Sequence, residues 1–168
     1  FAQSFSALFL VVMDLGLNTL LTRNIARDKA LAGEYISNIN AMKIFLFISA
    51  FILTVLMIKI LGYPAEIVEL VILMSFVTIG VAFLEYATAI FNSMEKMDYE
   101  ARLKIISKLL IAIFGAAALF FGFGIKTLTG AMVLGYILTI IFGLVLINMK
   151  VMPVRFSLDI KLCKSLLF

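Results

Sequence analysis

Long apolar runs separated by short charged stretches set the pattern of this chain. Five runs, roughly residues 1–22, 42–61, 66–91, 105–124 and 127–149, are long enough to cross a bilayer. A helix needs about 20 residues to cross a hydrocarbon core of about 30 Å. The second run, "KIFLFISAFILTVLMIKIL", contains only Ser49 and Thr54 as polar residues between Lys43 and Lys59. No turn signals cut the runs into pieces of about ten, which excludes membrane strands. Buried helices of a soluble domain are also excluded, because no amphipathic helices remain to shield them. The predicted fold is all-α: a polytopic membrane protein with a helical bundle over 1–149.

Charge divides the connectors into two kinds. "RNIARDKALAGEYISNINAMK" carries Arg23, Arg27, Lys29 and Lys43, and "NSMEKMDYEARLKIISK" carries Lys96, Arg102, Lys104 and Lys108. After the fifth run come Lys150, Arg155, Lys161 and Lys164, whereas "KILGYPAE" and "GFGIKTLTG" have only Lys59 and Lys126. Twelve basic residues thus face two, and the basic side is expected to be cytoplasmic. Glu100, Lys104 and Lys108 follow helical spacing, so that connector is expected to be helical. Gly33 is expected to break the first connector, and "GYP" at 62–64 and "GFG" at 122–124 to form turns. Residues 150–168, with Lys161, Lys164 and Ser165 on one strip, read as a cytoplasmic interfacial linker toward another span.

Composition supports the membrane assignment and removes several chemistries. The 168 residues are 64% hydrophobic and 14% charged, with a mean hydropathy of +1.19. A soluble surface cannot be covered from that inventory. The net charge of +4 reads as attraction to anionic headgroups. Without an aromatic platform or binding motif, it does not indicate nucleic acid. Histidine is absent and Cys163 is alone, so no disulfide framework, metal centre or bound cofactor is expected. The chain opens on Phe1 and closes inside "KSLLF", and is expected to be an excerpt of a longer protein.

Polar residues inside the runs are the candidate functional groups. Asp14 lies roughly 13 Å along a helix from Arg23, near the bilayer middle if Arg23 marks its edge. On an unbroken helix, Gln3, Asp14 and Asn18 fall within about 60° of one another. Thr78, Glu85 and Asn92 recur every seven residues in the third run, with Ala82 and Ala89 between them. An ionisable side chain at such depth costs roughly 2.5–3.5 kcal/mol on insertion scales, and usually faces a bundle interior or a watery cavity. The transport-cavity candidates are therefore Gln3, Asp14, Asn18, Thr78 and Glu85. The alternative for the acids is a hydrogen-bonded role in helix packing. If Asp14 lines a cavity, Asp14→Leu should insert normally yet abolish transport. Arg23 and Arg27, one turn apart, are topology anchors or candidates for a headgroup phosphate. Gly115 to Ala118, with Ala112, form a small-residue surface suited to close helix approach. Tyr63, Tyr86, Tyr99 and the sixteen phenylalanines are expected mainly at lipid-facing or interfacial positions.

"DLGLNTLLTRNIARDKALAGEYISN" at 14–38, "AIFNSMEKMDYEARLKIISKLL" at 89–110 and "FSLDIKLCKSLLF" at 156–168 resemble polysaccharide flippases. These belong to the multidrug/oligosaccharidyl-lipid/polysaccharide exporter superfamily. The resemblance implies that the five spans are helices two to six, in the N-terminal bundle of a two-bundle transporter. It implies that lipid-linked oligosaccharide is flipped from the inner to the outer leaflet of the plasma membrane by alternating access. The implied partners are a polyprenyl-(pyro)phosphate-linked oligosaccharide, membrane lipids and, often, a coupling proton or sodium ion. It implies a transporter, not an enzyme. Asp14, Asn18, Arg23 and Arg27 fall in the first matching segment, and Glu85 just before the second. A multidrug exporter of the same superfamily would carry an apolar cation in an acidic, aromatic cavity. An intramembrane glycosyltransferase or polymerase would need longer external loops than either turn provides. A noncatalytic assembly subunit would use the polar stripes for packing alone.

Overall fold

The computed structural model describes residues 1–29, 32–122 and 124–151. The expected interfacial linker, with Lys161, Lys164 and Ser165, lies almost entirely outside them. The described residues form helices α1 (Ala2–Leu8), α2 (Leu10–Asp14), α3 (Leu17–Arg27), α4 (Ala32–Ile60), α5 (Ala65–Ser93), α6 (Met97–Phe120) and α7 (Ile125–Lys150). Taken together α1–α3 make one candidate span, and α4 to α7 make four more, all long and apolar enough to cross a membrane. The all-helical membrane fold read from the sequence is the one observed.

Helices α4 and α6 begin about ten residues earlier than their apolar runs. Polar connector residues continue the helix instead of leaving it, as the Glu100–Lys104 ion pair one turn apart illustrates. Gly33 does not break the connector, because it lies in the first turn of α4. The chain has already left α3 at Asp28, which is extended. The "GYP" turn is as expected: Gly62 is left-handed at φ 69° and Pro64 caps the start of α5.

Helix α5 occupies the centre and touches every other helix. Its most apolar window is the most buried of the five spans. Close approach comes from glycines that the sequence reading passed over. A Cβ added at Gly80 would lie 2.5 Å from Cβ and Cγ of Tyr136 in α7. One at Gly135 would lie 3.3 Å from the backbone of Ile111 in α6, and one at Gly143 would lie 3.1 Å from the Phe83 ring. Of the small surface at 112–118, only Ala118 is buried. Gly115 has only the tip of Leu128 within 4 Å, and Ala112, Ala116 and Ala117 are exposed. Small residues permit close approach, but a facing helix must be there to use them.

Gly80→Ala should therefore lower thermal stability in detergent by roughly 1–3 kcal/mol through overpacking against Tyr136. Gly130→Ala, where nothing lies within 4 Å of the new Cβ, should be neutral or stabilise α7 by up to about 1 kcal/mol. Equal effects at the two sites would contradict the α5–α7 packing.

The two ends of the bundle are tied by ionic contacts. At one end, Lys29 pairs with Glu95 at 2.9 Å and Lys96 donates to the Lys150 carbonyl. The Arg102 guanidinium sits 5.5 Å from the Tyr99 ring centre there. We call this the basic end. At the other end, Lys126 of α7 pairs with Glu69 of α5 at 2.5 Å.

Candidate functional site

The first span is interrupted at mid-depth. Leu15 (φ 45°) and Gly16 (φ 79°) are both left-handed, so α2 stops at Asp14 and α3 starts afresh at Leu17. A break inside a bilayer is tolerated only if its freed backbone groups find partners. The Lys43 ammonium, arriving from α4, donates to the Met13 carbonyl at 3.3 Å and to Asp14 Oδ1 at 2.6 Å. Asp14 Oδ1 also accepts the Asn18 backbone N–H at 3.4 Å, at the start of α3. Lysine beside the last carbonyls of one helix and carboxylate beside the first N–H groups of the next complement both helix dipoles.

This arrangement changes the place of Lys43. In the sequence reading it belongs to a basic connector, whereas here it is 2% exposed inside α4. The basic asymmetry of the connectors keeps its direction without it. Lys43 lies 5.6 Å from the ring centre of Tyr86, whose hydroxyl donates to Asn40 Oδ1 at 2.5 Å. Tyr86 is therefore buried among polar groups and faces no lipid. Asp14, Lys43, Tyr86 and Asn40 together weld α2, α4 and α5 behind the break.

Glu85 points the other way. Between Val77 and Phe91 it alone is exposed. Among the described residues its carboxylate makes no hydrogen bond or close ion pair; its backbone carbonyl accepts the Thr88 hydroxyl. On one side it lines a hollow of about 370 Å³ with Leu10, Val11, Asp14, Leu15 and Gly16. On the other it lines an open groove of about 460 Å³ between α3 and α5, walled by Asn18, Thr19, Thr22, Arg23, Thr88, Ala89 and Asn92. Arg23 is five residues along α3 from Asn18, or roughly 7 Å nearer the basic end. Buried Asn18 Oδ1 has no hydrogen-bond partner.

The sequence candidates are thus divided. Asn18, Arg23 and Glu85 share the groove, and Asp14 meets Glu85 in the hollow. Gln3 lines neither. It lies in α1, eleven residues before Asp14 or roughly 16 Å along the axis, and the left-handed pair further resets the register before Asn18. Thr78 is buried and donates its hydroxyl to the Met74 carbonyl of its own helix. Arg27 is exposed in the last turn of α3 and lines neither space.

Comparison with known proteins gives one finding that spans the chain. Residues 1–168 match the family model described as "Polysaccharide biosynthesis protein". No curated protein and no solved structure matches.

Proposed function

The chain belongs to the polysaccharide biosynthesis protein family, and from that premise we propose that it flips lipid-linked oligosaccharide from the inner to the outer leaflet by alternating access. Membership places this multi-pass membrane protein in polysaccharide synthesis and transport. The observation that carries the finer reading is the groove between α3 and α5. It combines Arg23 and Asn92 toward the basic end with Asn18 and Glu85 deeper in. A lipid-linked saccharide has the same order, with phosphate at the headgroup level and sugars beyond it. With the basic end in the cytoplasm of a plasma-membrane protein, Arg23 receives the phosphate by a charge-assisted, bidentate contact. Asn18 and Glu85 then meet the first sugars.

An open groove is one wall of a carrier site, and alternating access needs a facing wall. The resemblance assigns that wall to a second bundle. Asp14 acts through Lys43 on this reading, holding the broken helix rather than contacting sugar. A coupling proton or sodium ion remains compatible with it, but no residue is assigned to one.

Two arginine variants test the reading. In cells lacking the native copy, Arg23→Ala should lower surface polysaccharide by about tenfold or more at unchanged protein level. Arg27→Ala, outside the groove, should export within about twofold of the unaltered protein. Normal export by Arg23→Ala would remove the groove from the mechanism.

A further inference from the structure

One face of α6 carries a cation at a depth where lipid offers it no partner. Lys104, Ile105, Lys108, Leu109 and Ala112 line a shallow recess of about 450 Å³, and all five are exposed. Leu103 and Ser107, on the opposite side of the helix, are buried. The apolar window of α6 is the least buried of the five spans.

Depth decides what such a face can meet. Exposed Phe120 closes α6 at the end remote from the basic one. Lys108 lies twelve residues back from it, roughly 18 Å along the axis. With Phe120 at the edge of a core about 30 Å thick, Lys108 is rooted roughly 12 Å inside the opposite edge. Packing agrees, since the Ile111 backbone nearby lies against Gly135, close to the middle of α7. Lys104, one turn nearer the basic end, pairs with Glu100 and can extend its ammonium to the headgroup level. Lys108 makes no ion pair or hydrogen bond among the described residues. Its four-carbon stem spans only about half the distance out. An ammonium so placed faces a wetted cavity or pairs with an opposite charge.

The rest of the recess separates those two cases. The α3–α5 groove is polar along its length, as a wetted wall would be, whereas Ile105, Leu109 and Ala112 surround Lys108 with hydrocarbon. Exposed Ala112 and Ala116, one turn apart, continue the face and admit a helix backbone closely. Among the described residues, the two acids at comparable depth are turned elsewhere: Asp14 holds Lys43, and Glu85 opens on the groove. A second copy docking by the same face would set lysine against lysine.

We infer that this face of α6 docks a further transmembrane helix of the same transporter, one carrying an aspartate or glutamate opposite Lys108. The source of that helix rests on the two-bundle flippase reading, and the need for an acid rests on Lys108 alone. The apolar recess receives the helix's side chains, and the ion pair fixes its depth and rotation.

The test uses the full-length protein in native membranes. A benzophenone amino acid in place of Leu109 should crosslink within the chain, to a peptide whose apolar run contains an acid. Lys108→Met should lower the yield of folded protein by at least about threefold, because it strands that acid. On a lipid-facing surface the same change removes a costly charge, so yield would hold or rise. Lys108→Glu should lose more, and exchanging the crosslinked acid for lysine in that variant should restore yield to within about twofold. A crosslink to lipid, a crosslink to a run without an acid, or undiminished yield in Lys108→Met would overturn the docking inference. So would rapid labelling of Leu109→Cys, in a cysteine-free background, by an impermeant thiol reagent, the sign of a water-filled cavity. Each of these leaves the flippase reading to its Arg23 test. A crosslink to an acidic helix of a different protein would overturn the assignment of the helix to a second bundle.

Discussion

Replacing Lys43 with methionine should destabilise the folded protein by roughly 3–5 kcal/mol, because it leaves a charged Asp14 unpaired at mid-bilayer depth. The Lys43 side chain is 3% exposed and that of Asp14 is 29% exposed, toward the hollow. That partial exposure of Asp14 offsets part of the penalty, which places the effect near the lower end of that range. The variant also loses the cation on the Met13 carbonyl, so the end of α2 should fray. A double-mutant cycle separates the ion pair from packing. Asp14→Asn in the Lys43→Met background should recover most of the loss, since methionine fills the volume of the lysine stem and asparagine needs no counter-ion. Unfolding followed by circular dichroism in detergent would give the four stabilities. Additive single-variant effects would show that the pair is not coupled. Asp14→Leu should likewise reduce the amount of folded protein before it affects transport, because it strands Lys43. This reverses the expectation, drawn from the sequence alone, that the variant inserts normally.

The second large effect concerns the break itself. Gly16→Val should destabilise by at least about 1–2 kcal/mol, the usual cost of a side chain at positive φ, with β-branching adding to it. No atom lies within 4 Å of the new Cβ, so the penalty is conformational and not steric crowding by neighbours. Valine there favours an unbroken helix, which would rotate Asp14 away from Lys43, so export should fall with stability. Leu15→Gly predicts the opposite sign. Leu15 is held at φ 45° and the residue is 56% exposed, so glycine relieves backbone strain and loses little packing. A gain of up to about 1 kcal/mol is expected. Thermal unfolding of the two variants side by side decides the matter. A shift in the same direction for both would mean that the left-handed pair is not what shapes the first span.

The five spans were legible because a bilayer imposes a length and an apolar composition that any reading can see. The candidate groove was legible in part. Of the residues that line it, Asn18 and Glu85 drew notice because polar groups in apolar runs are costly, and Arg23 because it stands at the charged edge of its run. Lys43 was missed because it borders its run and counts as a connector residue when the helix is drawn only as long as its apolar stretch. The signal was present in α4, where Ile36, Asn40, Lys43, Ala50, Thr54 and Ile58 recur with helical spacing and are all buried. Extending the wheel upstream of the apolar run would have put Lys43 on the inner face. The break at Leu15 was harder to see. A single glycine in a span is common, and what makes this one a break is the neighbouring ion pair, a contact across 29 residues of chain. The glycines of α5 and α7 were invisible for the same reason, since a glycine matters only when the facing helix is known.

The crossing of Gly80 with Tyr136 bears on how the chain is made. Helix α5 enters the bilayer well before residue 136 has been synthesised, and at roughly 5–20 residues per second that interval lasts on the order of seconds. During it, the groove at Gly80 and the Phe83 ring lack their helical cover. Lipid tails fill such a notch less well than a matching helix does. A nascent chain paused between α6 and α7 therefore presents a sticky face to its surroundings. The release of α7 completes the wall, and it arrives with Lys126 already positioned to meet Glu69 at the far end. Late arrival of α7 thus makes this packing a post-insertion event, sensitive to translation speed and to whatever holds the uncovered face meanwhile.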